Sequence, residues 1–520
     1  MPAMPRPLSS LAVALSLAVV LATQEPGPTS PPLPATPDAK DAPAPLPEGA
    51  PEAMRFVDRA DLKRHAEFLA SDELGGRYTG SPGQQRAAQY IAKHFESLGL
   101  VPLGDKKGSS RSYFQEYPLE RTSLDAKTTK FELGGTPFAR GWAFVPAGEG
   151  SKFTLDGELV DCGHGDPATL PKGFGRKLPV VTLRSVGSGA RSGLVSGLSL
   201  NKIGAIQREL EGRGARAVIY LVDGDGGVAD TISSRALMPE RPLVRRGGGE
   251  RSAMKDLGER PAIFASGACA DAIRAAFDGQ GGKPSLAFRT AVLEEPQFDA
   301  VNVAAMLPGK SKEAIVFSAH MDHVGMRIDG DVYNGADDNA SGSSGLLDLA
   351  DAFSKGGKLD RSVIFLSVSG EELGLWGSAH YADNPTWPLD LLIADINIDM
   401  IGRLTQSAGP DEIEVTPTFK HAEYSTLVRT ASDVAGRMGM RLTNGDQYYE
   451  RSDHYNFARK GVPVVFFCNG EHPDYHKASD EVHKLDFAKM ERVARLAYWT
   501  GMTVIAAKGR PERLGARASW

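Results

Sequence analysis

The hexapeptide Ser-Ala-His-Met-Asp-His at residues 318–323 follows an apolar run at residues 314–317 that is typical of a buried strand. Its polar residues, among them His320 and Asp322, therefore stand at the carboxyl end of that strand. In open α/β sheets, ligands bind at the carboxyl ends of the strands. The hexapeptide thus predicts an α/β sheet with a ligand site at this edge.

Four further polar stretches follow, each at the end of a predicted strand or in the loop after one. They are GADDNASG at 335–342, SGEE at 369–372, NIDM at 397–400 and YHKASD at 475–480. They supply imidazole and carboxylate groups, which are ligands of hard and borderline divalent metals. We therefore predict a mostly parallel sheet flanked by helices on both faces, with the chemistry at the strand ends. The predicted strands are Val303–Met306, Ala314–Ser318, Val363–Val368, Leu392–Ile398 and Val462–Phe467, and the predicted helices in this part are Gly342–Phe353 and Phe487–Ala507.

Taken alone, His320 and the acid pair Asp337-Asp338 have ordinary structural interpretations. A histidine that ends a strand is more often a surface or hydrogen-bonded core residue, and an aspartate before a helix is usually an N-cap. The doubled acid allows one carboxylate to cap the helix while the other points away. The metal hypothesis therefore depends on the combination of stretches.

The pair Glu371-Glu372 and the lone Asp399 indicate a metal site more strongly. Neighbouring residues that leave a strand project to opposite sides. One glutamate can then bind a metal while the other faces the substrate as a base. Asp399 lies in the apolar run at residues 396–401, where an unpaired carboxylate would cost on the order of several kcal/mol. A metal ion is its simplest partner.

The charges of these residues suit two metal ions. Two Zn²⁺ ions are neutralised by Asp338, Glu372, Asp399 and one bridging hydroxide, if His320 and His476 are neutral ligands. A water molecule bound in such a site has its pKa lowered towards about 7. Hydroxide would then be available at neutral pH.

The ordered set of motifs resembles the di-zinc exopeptidases of the bacterial leucyl aminopeptidase type. Their wider family includes glutamate carboxypeptidases, glutaminyl cyclases and the non-catalytic transferrin receptors. The stretch at residues 69–83, LASDELGGRYTGSPG, is similar to the N-terminal signature of that family, and the resemblance covers roughly residues 55–505. It implies a di-zinc aminopeptidase-like fold with two Zn²⁺ as cofactors.

The resemblance also implies a role for each site residue. Asp338 bridges the two ions, Asp322 orients His320, Glu371 is the general base, and Tyr449 hydrogen-bonds the scissile carbonyl oxygen. The alternative for Tyr449 is a loop aromatic residue that packs on the surface. Four histidines, His323, His454, His472 and His483, are left as structural residues. The implied metal ligands are His320 and Asp399 for one ion, Glu372 and His476 for the other, and Asp338 for both.

The implied function is that of an exported zinc aminopeptidase acting on peptide substrates with a free N-terminus. A glutaminyl cyclase would need one metal, and a receptor-like binding protein would be expected to lose ligands, whereas this chain keeps all five. A carboxypeptidase of the glutamate carboxypeptidase type stays open as an alternative. It would need a positive clamp for the substrate carboxylate, and Arg403 and Arg451 are the nearest candidates.

Changes in amino-acid composition and hydrophobic pattern along the chain predict its domain organisation. We predict a signal peptide at residues 1–22, a Pro/Ala-rich linker at 23–52 and the N-terminal part of the catalytic domain at 53–140, with Asp61 capping its first helix. Residues 141–296 resemble a protease-associated domain inserted into the catalytic domain, with a long elaboration of the main sheet as the alternative. The metal-binding part then spans 297–507, and a basic tail spans 508–520.

Composition excludes several other classes. At 520 residues with 41% hydrophobic content the chain can bury a large core, and a net charge of −6 gives no electrostatic footprint for nucleic acid. The apolar stretch at residues 11–22 is too short to span a bilayer and suits a signal peptide, with an uncleaved anchor as the alternative. We therefore expect a soluble periplasmic or secreted protein with no stable membrane anchor. Cys162 and Cys269 are candidates for a disulfide, and three buried thiols including Cys468 are the alternative.

Overall fold

A computed structural model of the chain describes residues 45–147, 151–183, 200–222, 227–239, 241–246, 257–279 and 284–518. The predicted signal peptide and the predicted linker up to residue 44 lie outside these residues. The first described element is a 3-10 turn at Glu52–Phe56, where the predicted catalytic domain begins. Within the described ranges, no helix combines the length and the apolar character needed to cross a membrane.

The strands and helices are numbered here along the chain. The strands are β1 Val101–Pro102, β2 Lys106–Lys107, β3 Ser110–Arg111, β4 Phe114–Leu124, β5 Lys130–Leu133, β6 Thr136–Pro137, β7 Trp142–Val145, β8 Lys152–Asp161, β9 Leu178–Leu183, β10 Val218–Val222, β11 Leu243–Arg245, β12 Ala262–Ala265, β13 Ser285–Leu307, β14 Ser311–His320, β15 Arg361–Val368, β16 Leu392–Ile398, β17 Glu412–Thr416, β18 Arg441–Asn444 and β19 Val464–Cys468. The helices are α1 Arg59–Leu69, α2 Pro82–Ser97, α3 Leu200–Gly212, α4 Gly227–Arg235, α5 Gly267–Phe277, α6 Gly342–Lys355, α7 Trp376–Asp383, α8 Thr426–Arg437, α9 His454–Arg459 and α10 Phe487–Ala506.

Four parallel strands form the centre of the main sheet. β14 lies between β15 and β16, and β16 also pairs with β19. These strands are buried over most of their length, because both faces of the sheet are covered, and this explains why their sequences are continuous apolar runs. β13 and β17 extend the sheet in the antiparallel sense on either side. The predicted fold class, a mostly parallel sheet with flanking helices, is confirmed for this part of the chain.

Alternate side chains of β14 point to opposite faces of the sheet. Ile315 and Phe317 join the apolar core that contains residues of α1, α2, α6, α8 and α10. Val316 packs on the other face with Tyr381 of α7 and Phe457 of α9. Helices therefore cover both faces, as the sequence predicts, and leave the carboxyl edge of the parallel strands open for a site.

The N-cap of α1 is Asp58 rather than Asp61, so that sequence prediction is wrong. The Asp58 side chain accepts a hydrogen bond from the main-chain N of Ala60 at 2.8 Å. Asp61 lies in the first turn and pairs with Arg64 at 2.8 Å. An acidic residue is favoured in both places, as a cap and against the helix dipole, and only the extended backbone of Asp58 distinguishes them.

The long strand β13 connects the main sheet with the segment predicted to be an insert. Residues 285–291 pair with β8, and residues 292–303 pair with β4, with a bulge between Glu295 and Phe298. The predicted boundary at Pro296 therefore falls at this bulge, inside a continuous strand. At the far end of the β4 pairing, Leu124 lies opposite Val292. The intervening residues supply most of two apolar clusters, one of which also contains Ile328, and their assignment as a protease-associated domain stays a prediction.

The three cysteines are free thiols. Cys162, Cys269 and Cys468 are all buried, and no disulfide joins them. Cys162 and Cys269 belong to different apolar clusters, which keeps the two thiols of the segment apart. The interpretation as three buried thiols is therefore the correct one.

Candidate metal centre

The ends of adjacent parallel strands bring His320 and Asp399 together. His320 is the last residue of β14, and Asp399 follows the last residue of β16, its parallel neighbour. The His320 Nε2 atom lies 3.2 Å from Asp399 Oδ1 and 3.4 Å from Asp338 Oδ1. These three side chains form the first group of donor atoms, and all three are buried.

A second group of donor atoms meets the other oxygen of Asp338. The His476 Nε2 atom lies 3.1 Å from Asp338 Oδ2 and 2.9 Å from Glu372 Oε2. The two carboxylate oxygens of Asp338 thus face two different groups. The five side chains that the family resemblance implies as ligands lie together, in the pairing that it implies.

His323 also lies in this centre, although the sequence interpretation left it as a structural residue. Its Nδ1 atom is 2.6 Å from Glu372 Oε1 and 3.9 Å from Asp338 Oδ2, and the side chain is fully buried. The signal available in the sequence was the spacing of His320 and His323 around one strand end. A second histidine three residues on can reach the neighbouring strand end when the chain bends directly after β14.

Several buried donor atoms of the centre make no hydrogen bond of acceptable geometry within the described residues, although they lie close to one another. They are the Nε2 atoms of His320, His323 and His476, and Oδ1 of Asp399. Buried polar groups in folded proteins are nearly always hydrogen-bonded, so a concentration of exceptions points to a missing partner. Three imidazoles and three carboxylates are the donor set that zinc binds. The residues present therefore fit a metal centre.

The contacts of the acid pair Asp337-Asp338 differ from the prediction that one of the two carboxylates caps α6. Asp338 faces the donor groups, whereas Asp337 accepts hydrogen bonds from the main-chain N of Gly402 at 2.6 Å and from Asn469 Nδ2 at 3.0 Å. Asp337 therefore does not cap α6, and that expectation is wrong. Asp480 Oδ2 accepts hydrogen bonds from the main-chain N of both Asp337 and Asp338, which holds the turn in place.

Asp322 links three parts of the centre. Its carboxylate accepts hydrogen bonds from Thr79 Oγ1 at 2.8 Å and from the main-chain N of Glu371 at 3.3 Å. The His320 Nδ1 atom lies nearer to the Asp322 main-chain oxygen, at 3.1 Å, than to the carboxylate, at 3.8 Å. Asp322 therefore orients His320 through its main chain and Glu371 through its side chain.

Arg77 is a buried cation behind the centre. Its guanidinium group donates hydrogen bonds to four main-chain oxygens, on Leu69, Met321 (2.8 Å), Asn334 (2.7 Å) and Gly335 (3.0 Å). Burial lowers the pKa of Arg77 to about 10, so the group stays charged at neutral pH. One side chain thus ties the N-terminal signature to the loops that carry the site residues.

A polar chain supports Asp399 from the opposite side. Ser452 Oγ donates a hydrogen bond to Asp399 Oδ2 at 2.8 Å and accepts one from Asn397 Nδ2 at 2.8 Å. The next residue, Asp453, is fully buried, and burial raises its pKa to about 7. The sequence interpretation assigned no role to Ser452 or Asp453.

The two adjacent glutamates differ in their electrostatic surroundings. Burial raises the pKa of Glu371 well above its ordinary value, despite the opposing field of His320. Burial acts in the same direction on Glu372, but His476 and His323 outweigh it and hold the pKa of Glu372 well below its ordinary value. Glu371 therefore accepts a proton far more readily than Glu372. This difference matches a base and a ligand, respectively.

The histidines of the centre experience a strongly negative field. Burial lowers the pKa of His320 and of His476, but the surrounding carboxylates outweigh it and raise both values well above the ordinary one. Asp399 contributes most at His320, and Glu372 contributes most at His476. The centre thus attracts positive charge, which either protons or metal ions can supply.

A cleft opens onto the centre. Its apolar wall is formed by Met400, Phe466 and Cys468, and its lining also contains the rings of Tyr448 and Tyr475. The other residues that line it are Asp338, Glu371, Asp399, Arg451 and Glu471.

Tyr449 does not line this cleft. Its ring packs against His421, with ring centroids 4.1 Å apart, and against His454. The 3-10 turn at Asp446–Tyr448 sends the two neighbouring tyrosines to different sides, so Tyr448 reaches the cleft in place of Tyr449. The alternative interpretation of Tyr449, as a packing aromatic residue, agrees with these contacts.

Comparison with known proteins matches the site region to a family model. Residues 302–500 match peptidase family M28, which confirms the resemblance drawn from the motifs. A probable leucine aminopeptidase of Trichophyton verrucosum (strain HKI 0517) is 27% identical over 214 residues, covering 38% of this chain and 55% of the relative. The aminopeptidase YwaD of Bacillus subtilis (strain 168) is 28% identical over 195 residues, covering 36% and 40%. The chain thus spans about half the length, or less, of these curated relatives.

Among solved structures, the fold resembles that of BSAP, a zinc aminopeptidase from Bacillus subtilis. The TM-score is 0.53 at 18% sequence identity, and the match covers 86% of this chain and 95% of that chain. At this identity the match shows a shared fold. It covers a larger share of the chain than residues 302–500, which the family model matches.

Proposed function

With residues 302–500 matched to peptidase family M28 as the premise, we propose that this protein is an exported, zinc-dependent aminopeptidase. The observation that carries the proposal is Asp338, whose two oxygens face two separate groups of buried donor atoms. His320 and Asp399 would hold one zinc ion, Glu372 and His476 the other, and Asp338 both. Export is supported by the apolar stretch at residues 11–22.

The metal ions would polarise the scissile carbonyl and lower the pKa of a bound water. Glu371 takes a proton at its carboxylate and passes it to the leaving amine, and its raised pKa suits both transfers. The Tyr448 hydroxyl oxygen accepts a hydrogen bond from the main-chain N of Glu471 at 3.3 Å, which leaves its own proton for donation. Tyr448 therefore takes the place of Tyr449 as the candidate donor to the substrate carbonyl oxygen.

The charges around the cleft favour a substrate amine over a substrate carboxylate. Arg403 pairs with Asp474 at 2.7 Å, and Arg451 pairs with Glu471 at 2.7 Å. Both candidate clamps for a C-terminal carboxylate are thus already paired. The carboxylates of the centre can instead hold an ammonium group by charge-assisted hydrogen bonds. The apolar wall at Met400, Phe466 and Cys468 favours an apolar side chain on the N-terminal residue.

A matched pair of substrates tests this proposal. Leucine anilide should be hydrolysed, and N-acetyl-leucine anilide should have a kcat/KM lower by about 30- to 1,000-fold, since leaving buried carboxylates without their ammonium partner costs about 2–4 kcal/mol. Steady-state kinetics on the two compounds measures the ratio. Exhaustive chelation should abolish turnover, and zinc should restore it.

Three outcomes would contradict the proposal of a zinc-dependent aminopeptidase. Comparable turnover of the acetylated compound would show that the site does not require a free amine on the substrate. Cleavage only of peptides with a free C-terminal carboxylate, sensitive to Arg451→Ala, would support the carboxypeptidase alternative, because Arg451 lines the cleft. Full activity after exhaustive chelation would remove the metal from the mechanism.

The contact between His323 and Glu372 gives a further test of the centre. His323 Nδ1 lies 2.6 Å from Glu372 Oε1, where a carboxylate can only accept, so the imidazole donates and fixes the orientation of the glutamate. Loss of such a partner of a metal ligand typically weakens metal binding by about 10- to 100-fold. We therefore expect His323→Gln to weaken zinc binding by that factor, measured by competition with a chelator of known affinity.

His472→Gln is the matched control for this prediction. His472 is also buried, but its Nε2 atom lies 3.1 Å from Asp337 Oδ2, and Asp337 faces away from the donor groups. The control should keep zinc affinity close to that of the unmodified protein. Equal affinities in both variants would exclude a special role for His323, and complete loss of one zinc equivalent in His323→Gln would make it a direct ligand.

A further inference from the structure

A second cluster of potential metal ligands lies in the helical layer. His65 of α1, His94 of α2 and Asp351 of α6 each place one donor atom within 4.8 Å of the others. The His94 Nε2 atom lies 2.7 Å from Asp351 Oδ2, and the rings of His65 and His94 meet edge to face with centroids 4.8 Å apart. Asp351 is about 13 Å along α6 from Gly342, where that helix leaves the candidate metal centre, at 1.5 Å per residue. The cluster is therefore separate from that centre.

The spacing of the donor atoms suits a tetrahedral ion after small side-chain rotations. Zinc–ligand distances of about 2.0–2.1 Å place tetrahedral ligand atoms roughly 3.3 Å from one another. Donor atoms of the candidate metal centre lie at similar separations, for example 3.2 Å between His320 and Asp399. The cluster resembles that centre in donor type, and its three donor atoms lie within 4.8 Å of one another.

The buried ring of His65 has a hydroxyl partner at one nitrogen and a cation near the other. Nδ1 is hydrogen-bonded to the Tyr90 hydroxyl at 2.7 Å. Nε2 lies 3.3 Å from the Arg64 guanidinium group, so an ion binds Nε2 only when Arg64 moves away.

Two cations lie near the cluster, and each leaves part of it accessible. Arg64 lies 3.3 Å from His65 Nε2, but its side chain is 45% exposed and pairs with Asp61 at 2.8 Å. Lys355 binds Asp351 Oδ1 at 3.1 Å, which leaves Oδ2, the atom that faces His94. Neither cation occupies all of the donor atoms of the cluster.

A buried carboxylate next to the cluster indicates a shortage of positive charge. Asp348, one turn before Asp351 on α6, is fully buried, and its Oδ1 atom has no hydrogen-bond partner in the part of the chain that the structure describes. Its Oδ2 accepts a hydrogen bond from the main-chain N of Asp58 at 2.8 Å. Burial, with Asp61, Asp351 and Asp58, raises the pKa of Asp348 well above its ordinary value. A nearby cation would stabilise this group of carboxylates.

We propose that His65, His94 and Asp351 bind a further divalent transition-metal ion, zinc by the character of the donors, which ties α1 and α2 to α6. Two nitrogen ligands favour zinc over magnesium or calcium, which prefer oxygen ligands. The side chains of His94 and Asp351 are 15% and 10% exposed, so water can reach the fourth position of the ion. The bound ion joins the N-terminal helices to the helix that begins at the candidate metal centre.

Zinc stoichiometry tests the site. The zinc-free protein is dialysed to equilibrium against buffered Zn²⁺, and bound zinc is measured by atomic spectroscopy. His94→Gln and Asp351→Asn should each bind one equivalent less than the unmodified protein. His164→Gln is the matched control, because His164 is an exposed histidine whose Nδ1 is bonded to the Thr182 main-chain oxygen, and it should bind as much zinc as the unmodified protein.

The same loss should appear in a His320→Ala background, in which the candidate metal centre is already disrupted. This background distinguishes the cluster from the proposed aminopeptidase site, because His94→Gln should still remove one zinc equivalent if the aminopeptidase proposal is wrong.

A measurement on the unmodified protein avoids any folding defect. Zn²⁺ should slow the acylation of His94 by diethyl pyrocarbonate, read by mass spectrometry, without slowing that of His164. Equal zinc content in all variants, or no protection of His94, would show that the cluster is only a hydrogen-bond network.

Discussion

Replacing Glu371 with glutamine should lower kcat by about 10²- to 10⁴-fold while the zinc content stays unchanged, the scale expected for loss of a positioned general base. Glu371 lines the cleft, its raised pKa lets it accept a proton, and its closest approach to His320 Nε2 is 4.0 Å. Glutamine preserves the shape of the side chain but cannot carry the proton. Steady-state kinetics on leucine anilide, with zinc measured on the same samples, gives both quantities.

Glu372→Gln is the matched control, because it makes the same chemical change one residue further along the chain. Glu372 faces His476 and His323, and its pKa is held well below the ordinary value, so we expect it to bind zinc as an anionic ligand. This variant should lose zinc, and its activity should recover in part at high zinc concentration. Loss of zinc in Glu371→Gln with retention in Glu372→Gln would reverse the two assignments.

Arg77→Met should lower the free energy of unfolding by about 3–5 kcal/mol, since it leaves several buried carbonyl groups without donors. The guanidinium group is 1% exposed and bonds main-chain oxygens of Leu69, Met321, Asn334 and Gly335. Chemical denaturation of the zinc-free protein measures the effect without a contribution from metal binding. Zinc affinity should fall as well, because Met321 and Gly335 flank the site residues.

Arg86→Met provides the control for this prediction. Arg86 is an exposed arginine of α2 that bonds the main-chain oxygen of Glu73 at the surface. Surface substitutions of this kind change stability by about 0.5 kcal/mol or less. Equal destabilisation by the two substitutions would show that Arg77 contributes only side-chain packing.

The parallel strands were predictable because they are buried on both faces. The predicted strand Leu392–Ile398 has the bounds of β16, and those at residues 314–318 and 363–368 lie within β14 and β15. The antiparallel strands were harder to predict. β17 carries Glu414, a buried carboxylate that accepts a hydrogen bond from Ser407, and a polar residue in so short a run hides the strand pattern. The length of β13 depends on pairing with two different partners, which local sequence does not encode.

The candidate centre was predictable where residue type alone restricts the chemistry. A carboxylate such as Asp399 in an apolar run requires a partner wherever the chain folds. The position of His323 depends instead on the bend after β14, and the choice between Tyr448 and Tyr449 depends on the 3-10 turn at residues 446–448. The position of His323 and the choice between the two tyrosines both depend on the direction of the backbone over a few residues. Sequence spacing does not determine such directions.

The pairing of Leu124 with Val292 has a consequence for the history of the gene. Antiparallel partners lie about 4.5–5.5 Å apart, so the chain leaves the main sheet at Leu124 and returns to it next to the same position at Val292, and β11 between them adds a second pairing with β4. Segments whose two ends are adjacent can be gained or lost as units, because the host fold keeps its strand register. A two-residue turn such as Asn-Gly is enough to close a hairpin between β4 and the remainder of β13. A shortened gene of this form would still encode all five candidate zinc ligands and Glu371, but it would lose the pairing of β11 with β4, so any exchange of the segment has to replace that pairing.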